Sequence, residues 1–302
     1  MERQFSEMLK GKGKIAAYLE LGRFWNGIIA GLLGILAALF SGISSPITAI
    51  IIFLAILFTY FTGATINDIK DRDCDSINMP FRPLQKSITI KESYMFIAFS
   101  ALIAFSFSLL LSINFTITIV LIFLSGLCYS LKPFNFKNRG YIGNIWLSIS
   151  TVFLTMYSGW VGTTNNLEIQ SNILAIMISL TATFVFVNIL KDFKDYIGDV
   201  AAKKGTAGAR HGLIPLSRLS LLSIPFFILT TLIMNFYFFN SYIFLIIAFL
   251  GIFYYSKIVF GLCKNPSIEN GEKVWSDARF FILYFLLFSN CFLIIKNLIP
   301  IF

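Results

Sequence analysis

The sequence predicts an all-α polytopic membrane bundle, and three observations carry that prediction. Of 302 residues, 57% are hydrophobic and only 13% are charged, whereas soluble domains hold about 45–50% apolar and about 25% charged residues. Mean hydropathy is +0.80, and apolar runs recur at the length a helix needs to cross about 30 Å of hydrocarbon. Thirty-four Phe exceed the needs of a soluble core of this size and suit lipid-facing surfaces.

Read in order, residues 1–23 mix charge with short apolar stretches and are expected to lie on the membrane as an amphipathic entry segment. A cleaved signal would need an early apolar run and a small-residue cleavage site. Nine apolar segments follow, at 24–40, 46–66, 94–111, 114–131, 141–161, 171–190, 219–236, 241–260 and 279–297. Each is expected to be a transmembrane helix, because lipid offers no partner to an unpaired backbone amide. The chain is read as one domain over 1–302. Gly27, Gly31 and Gly34 in the first span have the small-residue spacing of close helix packing.

The connections fall into two classes. Those near 41–45, 112–113, 162–170 and 237–240 carry no Lys or Arg, while 23 of the 24 basic residues lie in the N-terminal segment and at 67–93, 132–140, 191–218 and 257–279. The positive-inside rule assigns that second side to the cytoplasm. The net charge of +9 then reports topology and attraction to anionic membrane lipid, and no nucleic-acid-reading module is present. Nothing in the chain calls for an obligate protein partner. Fourteen of the 15 acidic residues share the basic side, Glu168 being the exception. The positive-inside rule does not ask for that, so something else holds the carboxylates there.

Cys74, Cys128, Cys263 and Cys291 form no C-x-x-C pair, and His211 is the sole histidine. Zinc and disulfide frameworks are not indicated, and a triad built on histidine has little to draw on. Two acid clusters carry more. Asn67-Asp68-Ile69-Lys70-Asp71-Arg72-Asp73-Cys74-Asp75 follows the second span, and Lys191-Asp192-Phe193-Lys194-Asp195-Tyr196-Ile197-Gly198-Asp199 follows the sixth. Both contain D-x-x-D-x-x-x-D, which places Asp68, Asp71 and Asp75, and likewise Asp192, Asp195 and Asp199, on one helical face each. Asp73 points away. Three stacked carboxylates repel, and a cation relieves them. Hard oxygen donors suit Mg²⁺, which completes its shell with water and substrate phosphate. Arg72, Arg82, Lys191, Lys194, Lys203, Lys204 and Arg210 stand ready for the remaining phosphate oxygens.

These residues resemble the UbiA superfamily of membrane prenyltransferases. The first cluster matches its N-D-x-x-D-x-x-x-D at Asn67, Asp68, Asp71 and Asp75. The second matches K-D-x-x-D-x-x-G-D at Lys191, Asp192, Asp195, Gly198 and Asp199. Asn78-Met79-Pro80-Phe81-Arg82-Pro83 looks like N-x-P-x-R-P, and Tyr129-Ser130-Leu131-Lys132 with Gly143-Asn144 is similar to the loop after the fourth span. Arg23 and Asn26 sit where members carry R-P-x-N, with Phe24 in place of the proline. The style is that of the branch holding archaeal geranylgeranylglyceryl-phosphate geranylgeranyltransferase and chlorophyll synthase, although Gln85-Lys86-Ser87 departs from the usual residues after R-P.

The resemblance implies a nine-helix bundle around a central cavity, capped on the cytoplasmic side by polar loops. There Mg²⁺, held by the six motif aspartates, binds a prenyl diphosphate, whose isoprenyl group passes to a lipophilic acceptor. That acceptor is a quinone or aromatic precursor, or a glycerol-phosphate lipid. By the same resemblance Asp71, Asp195, Lys191 and Tyr129 act in catalysis. Asn67, Arg23, Asn26, Arg72, Arg82, Lys132, Lys194, Lys203 and Arg210 contact substrate. The setting implied is a prokaryotic cell membrane. An intramembrane terpene cyclase using the same diphosphate site is an alternative. A cation or metabolite transporter fits less well, because its charges would sit near the bilayer midplane.

Overall fold

The fold is given by a computed structural model that describes residues 13–298. The reading of residues 1–12 as part of an amphipathic segment lies outside that range. The elements are α1 (Gly13–Leu21), α2 (Phe24–Phe40), α3 (Pro46–Asn78), α4 (Ile90–Leu111), α5 (Ile113–Ser130) and α6 (Tyr141–Thr164). They continue with α7 (Ser171–Asn188), α8 (Lys191–Ala201), α9 (Leu213–Phe239), α10 (Tyr242–Lys264) and α11 (Ile268–Leu298). Among the described residues eight helices are long and apolar enough to cross a membrane, and the bent pair α1–α2 makes nine if counted as one span. The chain is an integral, multi-pass, all-α membrane protein.

Local chemistry explains the boundaries. Pro46 at the first turn of α3 follows Ser45, whose Oγ accepts from Thr48 N at 3.2 Å, an N-cap that ends the preceding loop. Thr89 and Glu92 close a capping box at the start of α4. Between α1 and α2 the backbone turns through Arg23, whose φ of 53° is left-handed, and the axis bends by 57°.

Two expected boundaries move. The second span, read as ending at 66, continues without a break to Asn78, so the first acid cluster is an extension of α3 and not part of a loop. Loss of hydrophobicity at Asn67 does not end a helix. Neither Gly nor Pro intervenes before Pro80, and the charged residues present are tolerable helix formers. The last span, expected at 279, begins at Ile268, just after Pro266, and the helix runs through Gly271, where a Cβ would come 2.3 Å from the Phe193 ring. The second cluster, by contrast, occupies its own helix, α8, set off from α7 by a turn at Ile189 and Leu190.

The packing bears out the small-residue pattern in α2. A Cβ added at Gly31 would come 2.5 Å from the Phe53 ring, and one at Gly34 would come 2.3 Å from Ile56 Cδ1. On the facing helix, a Cβ at Gly159 would lie 2.0 Å from the Gly34 carbonyl oxygen. Backbones of α2 and α6 therefore touch with nothing between them.

Candidate active site

On α3 the predicted face is real: Asp68, Asp71 and Asp75 are buried, while Asp73 is exposed. Asp192 and Asp199 of α8 are buried as well. The two helices meet through Asn78. Its Nδ2 donates to the Asp195 carbonyl at 2.9 Å, and its Oδ1 accepts from Gly198 N at 2.6 Å. A Cβ at Gly198 would come 2.5 Å from Asn78 Nδ2, which accounts for the glycine inside the second motif.

Basic side chains thread between the carboxylates. Arg82 Nη1 donates to Asp75 Oδ2 at 2.6 Å and to Asp68 Oδ1 at 3.0 Å, and Arg23 also donates to Asp68. Lys137 pairs with Asp71 Oδ2, and Lys204 Nζ reaches Asp71 Oδ1 at 2.8 Å and Asp199 Oδ1 at 3.4 Å. Lys191 Nζ donates to Asp192 Oδ1 at 2.7 Å, whose other oxygen accepts from Gly208 N at 3.2 Å.

The electrostatics follow from this threading. Burial alone would lower the Lys137 and Lys204 ammoniums, but the Asp71 carboxylate outweighs it and holds both above the ordinary lysine range. Burial would raise Asp195, yet Lys194, Lys137 and Lys191 together keep it below the usual carboxylate range. Asp199 goes the other way, raised by burial and by repulsion from Asp195.

An open cavity joins these groups, with about 1390 Å³ of empty space including the solvent at its mouth. Asp71, Asp75, Asp195 and Asp199 line it, together with six cations from five segments. The rest of its wall is mainly apolar, from Ile29, Ala30 and Leu33 on α2 to Phe184 and Ile282. Along α3 the lining runs from Asp75 down to Thr59, about 24 Å of helix rise.

The wall includes Asn67, Arg23, Asn26, Arg82, Tyr129 and Lys191, all expected at the site. Asp68 and Asp192 lie outside the lining, committed to arginine, lysine and backbone partners. Lys194 stands half-buried beside Asp195, 3.7 Å from its Oδ1. Five expected contacts are outside the cavity lining: Lys194, and Arg72, Lys132, Lys203 and Arg210, which are exposed. Arg72 is one residue from Asp71 and so about 100° around the helix. Lys203 sits at a left-handed turn beyond α8, and Arg210 donates to the Asn138 carbonyl at 3.1 Å.

Sequence reasoning missed Lys137, Asn188, Trp275 and Arg279 as wall residues. Lys137 comes from the single turn Phe136–Asn138, 66 residues from the carboxylate it meets. Its only sequence signal is its place on the basic side. Arg279 is the first residue of the span expected at 279–297 and falls in the basic segment 257–279, so its place on the basic side is likewise its sequence signal.

Among the described residues no group of three or more His, Cys, Asp or Glu is drawn together closely enough to hold a metal ion. The donor set nonetheless fits a hard cation, since the four cavity carboxylates are oxygen donors of the kind Mg²⁺ takes. Asp195 Oδ1, moreover, is buried and accepts no hydrogen bond, its nearest cation being Lys194 Nζ at 3.7 Å, so it keeps the capacity to take a cation.

Fold and site together define an integral membrane protein with a cavity that is charged at one end and apolar along the rest of its wall. The model of the UbiA prenyltransferase family matches residues 27–288, and the chain belongs to that family. It is 33% identical over 190 residues to a digeranylgeranylglyceryl phosphate synthase of Pyrococcus horikoshii, covering 61% of this chain and 64% of that one. The chain thus spans just under two thirds of that relative. A synthase of the same name from Methanocaldococcus jannaschii is 27% identical over 267 residues, covering 86% of this chain and 90% of the relative. A UbiA homolog from Archaeoglobus fulgidus, solved bound to GPP and Mg²⁺, superposes with a TM-score of 0.68 at 18% identity, over 92% of this chain and 99% of that one. A solved digeranylgeranylglyceryl phosphate synthase gives a TM-score of 0.63 at 24% identity, over 93% and 99%.

Proposed function

We infer that this chain transfers an isoprenyl group from a prenyl diphosphate to a lipophilic acceptor within the membrane. The observation that carries this reading is one cavity with carboxylates from two motifs and several cations at one end and an apolar shaft at the other. Such a cavity accepts a diphosphate head and a hydrocarbon tail at once. Asp71, Asp75, Asp195 and Asp199 would hold Mg²⁺, with Asp68 and Asp192 orienting the arginines and lysine around them. When bound, the metal supplies positive charge that stabilises the departing diphosphate.

The chain's own residues do the rest. Lys137, Lys191, Lys204 and Arg82 reach phosphate oxygens that the carboxylates repel. Ile29, Leu33 and Phe184 keep water from the allylic carbon, where hydrolysis would compete with transfer. Tyr129, buried in the wall, offers a π face to positive charge developing there. The shared name of the two archaeal relatives supports a glycerol-phosphate lipid as acceptor, and Arg23 and Arg279 suit its phosphate. We further read the chain as one domain of nine spans around this cavity, with the acid clusters facing the cytoplasm of a prokaryotic cell.

Mass spectrometry of lipids formed from geranyl, farnesyl and geranylgeranyl diphosphates with a panel of acceptors tests the reading. Prenylated acceptor with Mg²⁺-dependent release of diphosphate is expected. A hydrocarbon or alcohol formed at full rate without acceptor would instead establish a cyclase.

A further inference from the structure

Two loops far apart in sequence are fastened to each other beside the cavity. The segment after α5 and the segment after α8 meet in a parallel bridge between Gly140 and Thr206, where Gly140 N donates to the Gly205 carbonyl at 2.7 Å. Arg210 crosses back to the Asn138 carbonyl at 3.1 Å, and the His211 ring stacks on Tyr141 with centroids 4.7 Å apart and planes 8° from parallel. Glycine makes the approach possible. Gly140 holds a φ of +60°, and a Cβ at Gly205 would come 2.2 Å from the Asn138 carbonyl oxygen. Gly143 likewise lets α6 lie against the Lys137 turn, where a Cβ would come 2.7 Å from Phe136 O.

Each loop delivers one lysine to the same carboxylate. Lys137 stands three residues before Gly140 and Lys204 one residue before Gly205, and both pair with Asp71. Arg210 and His211 are exposed and lie outside the cavity wall, so neither touches what the cavity holds. We propose that Tyr141, Arg210 and His211 are positioning residues, a clasp that holds the two loops in register so that Lys137 and Lys204 reach the diphosphate together. The clasp rests on the prenyl-diphosphate reading of the cavity, and it gives the sole histidine a role through ring stacking alone.

The test compares wild type with His211→Ala, His211→Phe and Arg210→Ala. Hydrogen exchange on the ligand-free protein reads the clasp without any reaction. In Arg210→Ala and His211→Ala, amides of 132–140 and of 203–212 are expected to exchange at least tenfold faster together. Faster exchange confined to 203–212 would overturn the clasp. Kinetics read its purpose. KM for the prenyl diphosphate is expected to rise at least tenfold in His211→Ala while KM for the acceptor stays within twofold. His211→Phe, which keeps a flat ring, is expected to restore the wild-type KM, and failure of that rescue would overturn the stacking role. Absence of prenyl transfer by the wild type would defeat the functional reading, while the exchange experiment would still decide whether the loops are fastened.

Discussion

Asn78 is a neutral side chain between two acidic helices, and both of its polar atoms are spent on the backbone of α8. It joins the halves of the site without adding charge. Asn78→Ala leaves the Gly198 amide and the Asp195 carbonyl without these partners, a loss of about 1–3 kcal/mol. A lower melting temperature in detergent is the expected outcome. The carboxylates are different. Asp71→Asn and Asp195→Asn are each expected to cut turnover by about 100-fold or more, the scale of removing a preorganised electrostatic group. The variants should remain monodisperse in size-exclusion chromatography, and near-wild-type rates in either would remove that motif from the reaction. The acids were legible in the sequence because i, i+3, i+7 spacing is a property of one helix. Arg72 and Lys203 were misplaced because adjacency in sequence differs from adjacency on a helical face. Lys137 was invisible because its contact with Asp71 is made by tertiary folding.

At the scale of elements, hydropathy found the spans but not their ends. Apolar character fades at Ile66, whereas the hydrogen-bonded helix of α3 persists to Asn78 because nothing interrupts it before Pro80. Composition reports where lipid contact stops, and backbone geometry reports where the helix stops. The crossing of α2 and α6 is half visible in the sequence: the glycines of α2 have the spacing of close packing, but their partner Gly159 has meaning only once the helices touch. Gly159→Ala would force a methyl to 2.0 Å from Gly34 O, and the helices must then separate. Overpacking of this kind costs about 1–3 kcal/mol. A reduced melting temperature with no change in helical circular dichroism at low temperature is expected.

At the scale of the molecule, the distribution of charge predicts sidedness. In a background with the four cysteines replaced by serine, Asp73→Cys should react with a membrane-impermeant maleimide only in inside-out vesicles, and Glu168→Cys only in right-side-out ones. The reverse pattern would invert the topology. The apolar shaft predicts chain selection. Ala30 is a small wall residue, and Ala30→Phe should raise KM for geranylgeranyl diphosphate more than for geranyl diphosphate. Equal effects on both would place the tail elsewhere.

The 33 residues of α3 are about 50 Å long, some 20 Å more than the hydrocarbon they cross. The surplus carries the first acid cluster and lifts it to headgroup depth, while the shaft below remains level with the acyl chains. A prenyl diphosphate seated this way keeps its head among other heads and its tail among other tails. If the chain takes a prenyl diphosphate, arrival by lateral diffusion in the leaflet is the route this placement predicts. The enzyme would then sense substrate as a mole fraction of the leaflet. Diluting the membrane with inert lipid at constant total substrate should slow the reaction, and diluting the suspension with buffer should not.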